Sequence, residues 1–105
     1  MSEMQVLTRK RIRGYVLTCL AIYPNEFVNS ELIADFVRTC GISASNVEVE
    51  EQIIYLKEKE YIKVIEKGDP QISTKKTLMA EISAKGTDLL EGSITKDVGI
   101  MLPVH

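Results

Sequence analysis

Apolar positions in the first part of the chain recur at helical spacing. Ile12, Val16, Cys19, Leu20 and Tyr23 stand at i, i+4, i+7, i+8 and i+11, one stripe of a helix predicted over 4–23. Pro24 and Asn25 end it. Residues 26–28 are too few for more than a stub of strand. Asn29 and Ser30 are both suitable N-caps for a second helix, with Leu32, Ile33, Phe36 and Val37 on one face and Gly41 as its stop. Ser43 or Ser45 caps a third helix that runs to about Lys59, with Val49, Ile53 and Leu56 turned inward.

The period then changes. Residues 61–66 are rich in β-branched side chains and predict a strand. Gly68-Asp69-Pro70 breaks it and opens a polar loop through Lys76. Residues 77–83 predict the returning strand, with Leu78, Ala80 and Ile82 on one side. Ser83 caps a last helix over 84–90, ended by Gly92. The expectation is one domain over 1–92 and a tail over 93–105 in which no period stands out. Helices two and three are joined by a short Gly-containing turn, and a hairpin follows the third helix directly. This order predicts an α+β fold of the winged-helix type: a three-helix helix-turn-helix core, a β-hairpin wing and a short C-terminal helix.

Size and composition agree with one folded domain. A chain of 105 residues and 11.8 kDa folds to roughly 5,900 Å² of surface from roughly 17,000 Å², enough burial for one core and not two. With 45% hydrophobic and 27% charged residues it is not a disordered composition. No apolar run approaches the roughly 20 residues of a membrane span, and the first residues lack the layout of a secretory signal. Cys19 and Cys40 are expected to be free thiols in a reducing cytoplasm. The expected location is cytoplasmic, with no membrane partner.

Two segments carry a resemblance. Leu56-Lys-Glu-Lys-Glu-Tyr-Ile-Lys-Val64 is similar to the junction of winged-helix regulators, where the third helix enters the wing through a pattern such as L-x-x-x-G-L-I; Glu60 stands where those families often carry Gly. Ile82-Ser-Ala-Lys-Gly-Thr-Asp-Leu-Leu90 resembles the L-T-x-x-G-x-x-x-L segment after the wing in MarR- and PadR-like proteins. The whole chain also resembles the small winged-helix proteins of Mu-like prophages. The resemblance implies a phage-type DNA-binding transcription regulator.

Charge complicates that expectation. The net charge is −2, but it is distributed unevenly. Residues 1–20 carry +3, residues 21–60 carry three basic and eight acidic side chains, and residues 61–105 carry six of each. The third helix, which a DNA-binding winged helix lays in the major groove, therefore lies in the acidic part. Groove-facing helices favour Arg, Lys, Asn and Gln because phosphates repel carboxylates.

Two readings stay open. In one, the chain binds double-stranded DNA, with phosphate contacts from Arg9, Lys10, Arg13, Lys67, Lys75 and Lys76, and with Ser45 and Asn46 at a helix start able to hold a phosphate. In the other, the contact surface is the third helix, where Val47, Glu51, Ile54 and Tyr55 form an acid-rimmed apolar patch suited to a protein partner or a dimer, or else the tail. A homodimer is expected with the DNA-binding reading. His105 has no partners for a relay, the cysteines lack zinc-ligand spacing, and no phosphate loop or nucleophile elbow occurs. The expectation is a non-enzyme without metal, cofactor or small-molecule substrate.

Overall fold

A computed structural model describes residues 2–68 and 77–103 of the chain. The first helix, α1 (Glu3–Ile22), starts at a capping box: the Ser2 hydroxyl accepts from the Gln5 amide, and the Gln5 side chain accepts from the Ser2 amide. It ends at Tyr23, and Asn25 turns the chain with a positive φ of 64°. β1 (Val28–Asn29) is two residues long. Asn29 caps α2 (Ser30–Thr39) by accepting from the Glu31 amide, and Gly41, at φ +95°, takes the left-handed position just past that helix.

Ser45, rather than Ser43, caps α3 (Asn46–Glu58). Its hydroxyl accepts from the Glu48 amide while the Glu48 carboxylate accepts from the Ser45 amide. Two strands follow, β2 (Ile62–Lys67) and β3 (Thr77–Ile82), then α4 (Ala84–Glu91), capped by Ser83 and closed by Gly92 in the left-handed conformation. The sheet is antiparallel with order β1-β3-β2. Val28 pairs with Ala80, and Val64 pairs with Ala80 from the other side. The architecture is α+β, four helices on a small three-stranded antiparallel sheet.

The core lies where α1, α2 and α3 meet the inner face of β3. Ile12, Val16, Leu17, Leu20, Ile33, Val37, Val49, Ile53 and Leu56 are essentially sealed from solvent, and each such side chain contributes roughly 1.5–3 kcal/mol of transfer free energy. The periodicity named most of them. It misplaced two: Tyr23 caps its helix and is exposed, and Leu32 points outward while Ala34 takes the inward place. Cys19 is buried and Cys40 half-buried, both as free thiols. Burial, with a smaller push from Cys40, raises the Cys19 thiol to about 11, which keeps it protonated and inert.

The tail departs from expectation. Residues 93–103 run back over the helices, with Ile100 buried and Ile94 and Leu102 packed on the core. The Met101 amide donates to the Lys10 carbonyl at 3.0 Å. Gly14 makes this approach feasible: a Cβ there would stand 1.9 Å from the Met101 carbonyl oxygen, so the strap lies directly on the helix backbone.

Glu60 turns the chain from α3 into β2 at φ 68°. A left-handed conformation costs a non-glycine residue about 1–2 kcal/mol, and glycine gives back about 0.5–1 kcal/mol through its looser unfolded state. Glu60→Gly should therefore stabilise the fold by about 0.5–1 kcal/mol, read as a rise in thermal midpoint of a few degrees. An unchanged or lower midpoint would contradict the strain assigned to this turn.

Candidate functional site

Arg13 stands on the rim of the α1 stripe, and its side chain turns inward toward α3 and the tail. Its Nε donates to Gln52 Oε1 at 2.8 Å, its Nη1 donates to the Gly99 carbonyl at 2.8 Å, and its guanidinium lies 3.6 Å from the centroid of the Tyr55 ring. One planar cation thus ties three parts of the chain together, which Lys, with a point charge, could not do in the same way. Burial lowers the Arg13 pKa, Tyr55 opposes that shift, and Arg9 adds to it. Gln52 is itself buried, so the bond satisfies an amide oxygen that would otherwise be stranded.

The tail's second anchor is Asp97. Its Oδ2 accepts from the Tyr61 hydroxyl at 2.7 Å and lies 3.4 Å from Lys59 Nζ, and its Oδ1 accepts from the Gly99 amide at 2.8 Å. Desolvation pushes this carboxyl up, but the bonds from Tyr61, Gly99 and Lys59 together outweigh it and hold Asp97 below the usual carboxylate range. Tyr61 is pushed up to about 12, first by burial and then by its bond to Asp97. Lys85 completes the cluster, donating to the Lys59 carbonyl at 3.1 Å with its Nζ 4.9 Å from the Tyr61 ring centroid.

These contacts sort the sequence-derived candidates. Of the phosphate-contact set, Arg13 is engaged inside the fold, and Arg9 lines a groove and has an interaction of its own. Lys10 is half-buried on α1 beside Met101, and Lys67 is exposed at the end of β2. Lys75, Lys76 and His105 lie outside the described residues. Ser45 is occupied by its capping box, which puts the Glu48 carboxylate at the helix start where a phosphate would have to sit. Asn46 accepts from Arg38 Nη1 at 2.9 Å, in a bridge that also reaches the Ala44 carbonyl and Asp35 across the α2–α3 turn.

Of the protein-interface set, Val47 is 62% exposed and Ile54 38%, with Glu51 exposed between them. Tyr55 differs: it is half-buried beneath Arg13 and against Gly99, so it belongs to the interior rather than to an open patch. Sequence reasoning missed Asp97, Gly99 and Gln52. The Asp-x-Gly spacing of 97–99 was a legible Asx-turn signal; the partnership with Arg13 and Tyr61 was not, because it spans most of the chain.

The N-terminal part of α1 forms one wall of an open groove of about 310 Å³. Met4, Gln5, Thr8, Arg9 and Ile12 line it from α1, and Glu48, Glu51 and Gln52 from α3. No described residue before Ile12 is buried, and Met4, Val6 and Leu7 are exposed at 71, 38 and 37%. No group of His, Cys, Asp and Glu that could hold a metal occurs among the described residues, and no described helix is long and apolar enough to cross a membrane. Comparison with protein-family models, curated proteins and solved structures finds no match.

Asp97→Asn keeps one acceptor oxygen for the Gly99 amide but turns an NH2 toward the Tyr61 hydroxyl and Lys59 in place of the charged oxygen, so it should cost about 1–3 kcal/mol near neutral pH. A depressed carboxyl contributes stability above its ordinary pKa and loses it as pH falls through the lower folded value. Denaturant titrations across the acid range should therefore show the gap between wild type and D97N closing as pH drops. A gap independent of pH would contradict the charge assigned to Asp97.

Replacing Arg13 with Lys should cost about 2 kcal/mol, since one ammonium cannot satisfy Gln52, Gly99 and Tyr55 together. Limited proteolysis of R13K should cut within 93–103 before the helices. Uniform digestion would mean that the tail does not depend on this residue.

Proposed function

We propose that the chain is a winged-helix module that binds another protein through the outer face of α3 and the adjoining groove. Its order of helix, short strand, two helices, hairpin and closing helix, with β1 joined to the hairpin through β3, supports the winged-helix reading. The protein-binding reading rests on one observation: Val47 and Ile54 stand exposed on α3 among Glu48, Glu51 and Glu58. Lys57 is the single cation of that helix.

A surface of this kind opposes phosphate and suits an apolar patch with a polar rim. The groove continues the face onto α1. The role that follows is regulatory or accessory, of the phage-protein type and cytoplasmic, exerted by occupying a partner and involving no catalysis.

DNA binding is the second reading, favoured by Lys10 and Arg11 on α1 and Lys67 on the hairpin. It would place α1 and the wing, not α3, on the backbone. Titration of the folded chain with duplex DNA at two salt concentrations separates the two readings. The protein-binding reading expects negligible affinity near physiological salt and a shallow salt slope. An affinity that falls steeply with salt, each neutralised phosphate adding about −0.9 to the logarithmic slope, would overturn it in favour of DNA.

A further inference from the structure

The segment 97–102 lies on the domain as a ligand lies on a receptor. It belongs to no strand of the sheet. Ile100 is the one buried residue of 93–103, while Ser93, Thr95, Lys96, Val98 and Met101 are exposed. The segment also closes on itself. The Ile100 amide donates to the Asp97 carbonyl at 3.1 Å and the Gly99 amide donates to Asp97 Oδ1, so a β-turn over 97–100 carries an Asx turn inside it.

The receptor side is held largely by contacts of its own. Gln52 and the Tyr55 ring fix the Arg13 guanidinium, Lys85 lies over the Tyr61 ring, and Gly14 leaves the backbone of α1 open to approach. These groups impose three requirements on what sits there. Lys59 and the Tyr61 hydroxyl take a carboxylate, here that of Asp97. Tyr55 leaves no space for a side chain two positions on, where a Cβ on Gly99 would stand 2.5 Å from its hydroxyl. The next side chain, Ile100, joins the core.

The remaining bonds go to main chain. Arg13 donates to the Gly99 carbonyl, and the Met101 amide donates to the Lys10 carbonyl. Val98, 89% exposed, is left unrecognised. The requirement is therefore Asp-x-Gly-aliphatic in a turn, and no part of it needs the segment to belong to this chain.

We propose that this seat is a recognition site for a turn of pattern Asp-x-Gly-aliphatic on a partner protein, and that the tail is its resident competitor. The inference goes beyond the α3 reading above and does not depend on it, since Val47, Glu51 and Ile54 make none of these contacts. A receptor already in place loses little freedom on binding. The tail, tethered to α4 through the short linker 92–96, holds the seat at an effective concentration on the order of millimolar. A free segment with the same contacts is shut out, and a partner enters by presenting the turn at comparable local concentration or by adding contacts of its own.

The probe is a fluorescently labelled peptide of residues 95–103, titrated against the full chain and followed by anisotropy. Two variants unseat the tail and leave every receptor residue unchanged: Asp97→Ala with Ile100→Asp, and Gly99→Val alone. Early proteolytic cleavage within 93–103 identifies the unseated state, and circular dichroism the folded one. Each variant should bind the peptide saturably and at least tenfold more tightly than wild type, whose own tail competes. Peptides carrying Asp97→Asn or Gly99→Val should bind at least fivefold more weakly than the native peptide.

The wild-type chain gives a second test that needs no variant to fold. Peptide in excess over the tail's effective concentration should displace the tail and speed cleavage within 93–103. Folded, unseated chains that bind no peptide, wild type that binds as tightly as they do, substituted peptides that bind equally well, or wild-type cleavage unmoved by excess peptide would each overturn the proposal.

Discussion

The Arg13 guanidinium is the point at which helix α1, helix α3 and the tail are held together. It donates to a buried glutamine, holds the tail by donating to the Gly99 carbonyl, and covers Tyr55. A cation brought partly out of water is costly unless its donors are met, and here two are met by fixed acceptors while the ring takes its face. Gly14, one residue on, lets the tail backbone reach the helix. The tail then buries Ile100 and brings Asp97 to Tyr61 and Lys59. Without Arg13, the tail would keep its apolar contacts and lose the bond that sets its path.

That arrangement decides what is left for function. The Arg13 cation is turned inward against α3, and Glu51 and Glu58 remain exposed along with Val47 and Ile54. Two cations of the N-terminal cluster, Lys10 and Arg11, lie farther out on α1. The charge pattern along the chain, positive in the first 20 residues and negative in the next 40, becomes a spatial one: a basic end on a helix that outruns its core, beside an acidic wall. This separation argues for a complementary protein surface and against a groove-reading helix.

Local signals were legible in the sequence. Asn29, Ser45 and Ser83 cap their helices because short polar side chains reach the first free amides, and Gly41 and Gly92 end helices because they take φ values that other residues resist. Val49, Ile53 and Leu56 announced the inner face of α3 by spacing alone. Glu60 was conspicuous as a departure from a familiar glycine, and it is a strained left-handed residue. Signals that depend on distant partners were not legible. Residue 13 looked like one more member of a basic run, because nothing local distinguishes a solvated arginine from one that meets Gln52, 39 positions away. Tyr55 looked like an outward aromatic because the tail that covers it has no period to read.

The most direct measurement is the side-chain nitrogen spectrum of the arginines, recorded with and without duplex DNA. The account predicts that the Arg13 Nε–H exchanges slowly with water, far more slowly than that of exposed Arg11, and that its resonance stays in place when DNA is added. An Arg13 signal that exchanges as fast as Arg11 and moves on titration with duplex would contradict the account, because it would put this cation on the surface and on the phosphate.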